Sequence, residues 1–163
     1  MKIVTTIILL TINLFCFAQN AEKTIASSLQ TLSRLENTSF FEVTEEMFKM
    51  LSTSKEASPE FKEYIGKLHG LQLIQATGEN QRALSEELYR DFLQQTNLKD
   101  YSRLMTKKEP GSNLSFYKKE GKSENEFLLV STEMIIYITG TIDLKSISEF
   151  ERVMEIAGSA FEM

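Results

Sequence analysis

From Tyr101 onward, apolar and polar residues alternate with a period of two, in successive strand-length runs at 101–107, 113–119, 126–131 and 134–141. The runs are separated by Glu109-Pro110-Gly111-Ser112, by Glu120-Gly121-Lys122 and by a tight link at Thr132-Glu133. Links this short force neighbouring strands to run antiparallel, because a parallel return needs a crossover of about a dozen residues. Met134-Ile135-Ile136-Tyr137-Ile138 is apolar at both sets of alternating positions, which predicts a central strand. Gly140 marks its end, and Asp143 is expected to cap a closing helix with Leu144, Ile147, Phe150, Met154 and Ala157 on its buried stripe.

Upstream, the spacing is mostly helical. Ile25, Leu29, Leu32 and Leu35 form one stripe within residues 22–36, a helix that either packs on the domain or extends from it as a leader. Ser39-Phe40-Phe41-Glu42-Val43 is a short β-rich run. Thr44-Glu45-Glu46-Met47 then reads as an N-cap followed by acids in a first turn, where the helix dipole favours them. That helix should carry Met47, Phe48 and Leu51 inward and stop near Ser52. Ser58-Pro59-Glu60 opens a further helix, with Ser as cap and Pro at the first position, and with Phe61, Tyr64, Ile65 and Leu68 as its stripe. Gly70 to Gly78 is a strand-length run bounded by glycines. Asn80 can cap the next helix, where Leu84, Leu88 and Phe92 repeat and Glu86 precedes Arg90 by one turn as a surface pair. Strands thus gather late in the chain rather than alternating with helices. This predicts an α+β fold: a mostly antiparallel sheet with a C-terminal four-strand meander and helices packed on one face.

The amino terminus carries a different pattern. Met1-Lys2 gives a positive start, Ile3 to Phe17 is apolar apart from Thr5, Thr6, Thr11 and Asn13, and small residues precede a cleavage point after Ala18. The apolar core falls short of the ~20 residues needed to span a bilayer, so residues 1–19 are read as a secretory signal peptide. The expected organisation is a signal peptide over 1–19, a helical leader over 20–37 and an α+β domain over 38–163. The expected location is the periplasm or the secreted fraction, without integral membrane character after cleavage. Lipidation at Cys16 is the lesser alternative, since Phe15 is too bulky for the position before a lipidated cysteine. Cys16 is the chain's one cysteine. Its removal leaves no disulfide, thiol nucleophile or zinc–cysteine site, and stability must come from core burial.

Composition narrows the chemistry further. The 163 residues hold 18 basic and 23 acidic side chains, a net charge of −5 that falls by one more unit when Lys2 is removed. A mildly acidic chain without a long basic run is a poor match for nucleic acid.

Tyr101-Ser-Arg-Leu-Met105, Leu114-Ser-Phe-Tyr-Lys-Lys119, Glu126-Phe-Leu-Leu-Val130 and Ile138-Thr-Gly-Thr-Ile-Asp-Leu144, together with Val43-Thr44-Glu45-Glu46-Met47-Phe48, resemble the domain-of-unknown-function 4252 family. The likeness covers roughly residues 38–150; residues 53–98 match in element order alone. It implies an exported α+β domain, found chiefly in Bacteroidota, with no established enzymatic activity and no catalytic residues to carry over. Some members are lipoproteins; this chain departs from them at Phe15.

His69 is the single histidine, and no Gly-x-Ser-x-Gly elbow presents a nucleophile beside it. At a helix-to-strand junction its expected role is to satisfy terminal helix carbonyls. Carboxylates alone would have to hold a metal, yet no Asp-x-Asp-x-Asp-Gly loop exists among Asp91, Asp100 and Asp143. The acidic pairs Glu45/Glu46, Glu86/Glu87 and Glu149/Glu151 read as solvated helix faces. Phosphate-cradling glycine motifs are absent too. No cofactor and no catalytic residue is therefore expected. The one basic patch is Arg103, Lys107, Lys108, Lys118, Lys119 and Lys122, with the two Lys-Lys pairs expected to face each other across the first hairpin of the meander. Lysines there would protect a sheet edge or, functionally, contact acidic lipid or polysaccharide. The reading that remains is a non-catalytic envelope domain that binds a protein or an acidic surface. A carrier of a small apolar ligand is the alternative, and a carboxylate-based hydrolase a third.

Overall fold

The structure is a computed structural model, and it describes residues 24–55 and 59–143. The elements run α1 (Ile25–Leu32), β1 (Thr38–Thr44), α2 (Glu45–Thr53), α3 (Pro59–Ile65), β2 (Leu68–Ala76), α4 (Gln81–Gln95), β3 (Ser102–Glu109), β4 (Ser112–Glu120), β5 (Asn125–Ser131) and β6 (Met134–Gly140). The signal segment, Ser58 and the closing helix expected after Asp143 lie outside the described residues.

All six strands form one sheet in the order β1-β2-β6-β5-β4-β3, and every neighbouring pair is antiparallel. The class is α+β, with β3 to β6 as the meander. The Pro110-Gly111 link joins Glu109 to its partner Ser112, and Gly111 takes φ 79°, a left-handed conformation that suits glycine. β6 is central, as its double apolar pattern predicts: it pairs with β2 on one side and β5 on the other.

The helices do not share one face. Phe127, Leu129, Ile136 and Ile138 point to a core with Val43, Phe48, Ile65 and Leu71, under α2 and α3. Their alternates Leu128, Val130, Ile135 and Tyr137 point to a second core with Ile25, Leu29, Leu32, Leu88 and Phe92, under α1 and α4. Strands apolar at every position present two greasy faces, and each must be covered. The number of helices alone does not say which strand face each has to bury. Residues 25–32 accordingly belong to the packed body: Leu29 and Leu32 are fully buried. Leu35 and Met47, assigned to buried stripes, are instead exposed.

Helix ends follow the sequence in part. Thr24 caps α1, its side chain accepting from Ser27 N–H at 3.2 Å. Thr44 and Asn80 occupy the cap positions of α2 and α4 but make no side-chain cap bond. On α4, Glu86 pairs with Arg82 at 3.6 Å rather than with Arg90.

Candidate functional site

Under α1 and α4, the sheet changes character along its strands. Register aligns Phe40, Ile74, Ile135, Val130 and Ser115 in one row, which is mostly apolar. Two residues along, the same face shows Glu42, Gln72, Tyr137, Leu128 and Tyr117; two further, it shows Thr44, Gly70, Thr139, Glu126 and Lys119. The helices cover the apolar row. The polar rows form the floor of an open cleft of about 580 Å³, walled by the start of α1 and by Asn97, Asp100 and Tyr101. Gly70 holds the middle of that floor open, since a Cβ there would meet Thr139 Oγ1 at 3.1 Å.

Glu126 is the fixed point of the cleft. Its Oε2 accepts from the Tyr137 hydroxyl at 2.7 Å and from the Tyr101 hydroxyl, and its Oε1 accepts from Lys119 Nζ at 2.8 Å. Lys119 also stands 5.4 Å over the Tyr101 ring, a cation–π contact. Burial works to raise the Glu126 carboxyl, but the bonds from Lys119, Tyr101 and Tyr137 and the Lys119 charge outweigh it and hold the group below its ordinary value. Burial first, then the Glu126 bonds, push both tyrosine hydroxyls well above theirs. The cluster is an ionised carboxylate fully engaged by donors, and it positions β4, β5 and the segment after α4 against one another.

Beside it stands a pair with a different balance. Gln72 Nε2 donates to Glu42 Oε1 at 2.6 Å. The Gln72 side chain is 7% exposed, and its Oε1 has no hydrogen-bond partner. Glu42 itself is exposed and forms no ion pair with a Lys, Arg or His among the described residues. His69 lies at the cleft's far edge, on β2 rather than at a helix end, where a bulge between Leu68 and Gly70 turns it. Its Nδ1 is 2.9 Å from Glu124 Oε2, so a carboxylate and not a helix carbonyl is its partner.

The basic patch is divided by the same register. Lys107 stands opposite Leu114 and Lys108 opposite Asn113, so the Lys-Lys pairs do not face each other. Lys118 and Lys119 project to opposite faces: Lys118 reaches Glu120 at 2.8 Å and Asp143 at 2.7 Å, while Lys119 enters the cleft. Lys107 pairs with Glu109 at 3.0 Å, and Arg103, Lys108 and Lys122 are exposed. Of the six, only Lys119 reaches the cleft.

Among the described residues, no three His, Cys, Asp or Glu side chains converge to hold a metal ion, and no helix is long and apolar enough to cross a membrane. The model of one family, "Domain of unknown function (DUF4252)", matches residues 14–150. The chain belongs to this family. No curated protein and no solved structure matches it. The DUF4252 match spans every element described above, including the strands that build the cleft.

Proposed function

We propose that this DUF4252 protein is exported to the cell envelope and acts there as a non-catalytic binding domain, with the polar cleft over β1, β2, β6 and β5 receiving part of an envelope component. The observation that carries the reading is the open cleft of about 580 Å³ itself, lined by polar side chains from four neighbouring strands. The apolar pattern ending in small residues at positions 16 and 18 supports export.

Two features favour binding over catalysis or lipid carriage. A carboxylate pair serving as acid and base needs one member with a raised pKa, whereas Glu126 is lowered and its oxygens are engaged. A carrier of apolar ligands needs an apolar sheet face left open, and helices cover the apolar rows of both faces here.

The test is photo-crosslinking in cells. A photoreactive residue in place of Thr44, at the cleft, should give a discrete adduct in the envelope fraction on a chain shortened at its amino terminus. The same residue in place of Met50, exposed on α2, should not. Adducts from position 50 but not 44, or an unprocessed chain retained in the cytoplasm, would overturn the proposal.

A further inference from the structure

We infer that β1 is the seam of a two-fold dimer: its open edge pairs antiparallel with β1 of a second copy of this chain, and the two Phe41 side chains meet on the axis. The inference goes beyond the cleft and does not rest on it. The sheet ends in β1 on one side and β3 on the other, and among the described residues no strand pairs outside either. The two edges are built differently. β3 carries Arg103, Lys107, Lys108 and Glu109, and its register with β4 shifts between Arg103 and Met105. Charges and a bulge on an edge strand keep further strands away. β1 has no bulge, and Glu42 is its single charge. It stays in unbroken register with β2 from Thr38 to Thr44, and Thr38, Phe40, Phe41, Val43 and Thr44 are all strong strand formers. A flat edge of this kind, left unguarded, is where a strand adds.

The register shows that the added strand can be β1 itself. Thr77 N–H donates to Asn37 O at 2.8 Å, which extends the β1–β2 pairing by one step. Hydrogen-bonded pairs alternate along an antiparallel ladder. Residues 39, 41 and 43 therefore turn their peptide groups to β2, and Phe40 and Glu42 turn theirs outward. A two-fold axis through Phe41 sets Phe40 opposite Glu42 of the copy, so the outward groups of both strands meet and exchange backbone bonds. Ser39 then faces Val43 and Thr38 faces Thr44, which engages the whole strand. Phe41, 37% exposed, gains its own copy as an aromatic cross-strand partner. The two Glu42 carboxylates stand a diagonal step apart. An axis through Glu42 would oppose them directly, and an axis through Phe40 would leave Val43 and Thr44 beyond the end of the pairing. Such a contact closes after two copies, and the joined sheet ends on the guarded β3 edge at both sides.

Cys16 is the one cysteine of the chain, so in the full chain carrying Cys16→Ser an introduced cysteine is the sole thiol. Phe41→Cys should oxidise to a covalent dimer at least about tenfold faster than Leu104→Cys on β3 or Ser39→Cys on β1. Across a non-hydrogen-bonded antiparallel pair the Cα atoms lie about 4.5 Å apart, within disulfide range, whereas the two copies of residue 39 would stand about 14 Å apart. Equal rates at the three positions, or Phe41→Cys joining Leu104→Cys faster than itself, overturn the inference. A second arm needs no thiol. The unsubstituted chain should sediment as a concentration-dependent dimer. Phe41→Lys and Phe41→Glu should each be monomeric with an unchanged thermal midpoint, and their equimolar mixture should dimerise again, because only a position on the axis faces itself. An unsubstituted chain that stays monomeric at its highest soluble concentration, or a dimer that both substitutions leave intact, overturns the inference as well. Product mass separates this test from that of the cleft: a joined pair weighs twice the chain and an adduct from position 44 to an envelope component does not, so either reading can fail alone.

Discussion

Two side chains show how a strand interior can be polar for opposite reasons. Glu126 is satisfied: three donors reach it, and its charge is stabilised in the folded chain. Gln72 keeps an acceptor with nothing to accept. The consequences differ in sign. Because the folded Glu126 carboxyl sits below its ordinary value of 4.5, the unfolded chain takes up its proton first on acidification. The stabilisation is therefore present above that value and is lost as pH falls through the folded one. Urea midpoints measured between about pH 6 and pH 3 should drop more steeply for the wild type than for Glu126→Gln. At Gln72 the change runs the other way. Gln72→Met removes a buried, half-satisfied amide, and Glu42 regains water because it is exposed, so the variant should be more stable by about 1 kcal/mol in urea denaturation. Gly70→Val should narrow the cleft and weaken the crosslink from position 44, since its branched side chain would press on Thr139 Oγ1.

At the level of elements, the helices report on the strands beneath them. α1 contributes Ile25, Leu29 and Leu32 to the same core as Leu88 and Phe92 of α4. Leu29→Ala should cost about 3 kcal/mol, as for any fully buried leucine, and should shift the same cooperative transition as Phe92→Ala; a separate early transition would mark α1 as an appendage. The elements themselves were legible because periodicity and turn chemistry are local: the strands from Ser102 to Gly140, the Pro110-Gly111 link and the central character of β6 all follow from short stretches of chain. The cleft was not. β1, β2, β5 and β6 each drift from apolar to polar along one face, in steps such as Ile74, Gln72, Gly70 on β2 and Val130, Leu128, Glu126 on β5, and β4 ends polar at Lys119. Taken singly, each drift looks like a strand end nearing solvent. Only the register, a long-range property, places all five polar ends together. The lysines of the first hairpin fail to face each other for a local reason: the tight Pro110-Gly111 turn sets Glu109 opposite Ser112, which puts Lys107 opposite Leu114 and leaves Lys118 opposite Ser102 at the other end.

Across the molecule, the two apolar cores are separated by a single sheet and share its central strands, β5 and β6, which contribute alternate side chains to each. Phe127→Ala on one side and Leu128→Ala on the other should each cost about 3 kcal/mol and lower one common urea transition. The position of β6 has a consequence in time. It is the last strand in chain order among the described residues, yet it alone pairs with both the antiparallel β1–β2 pair and the β3–β5 ribbon. A growing polypeptide that has not reached Met134 owns two fragments with no strand pairing between them, and pairings of such high sequence separation form slowly. A nascent chain is thereby kept from closing its sheet until β6 has emerged, a delay that would serve the export proposed above.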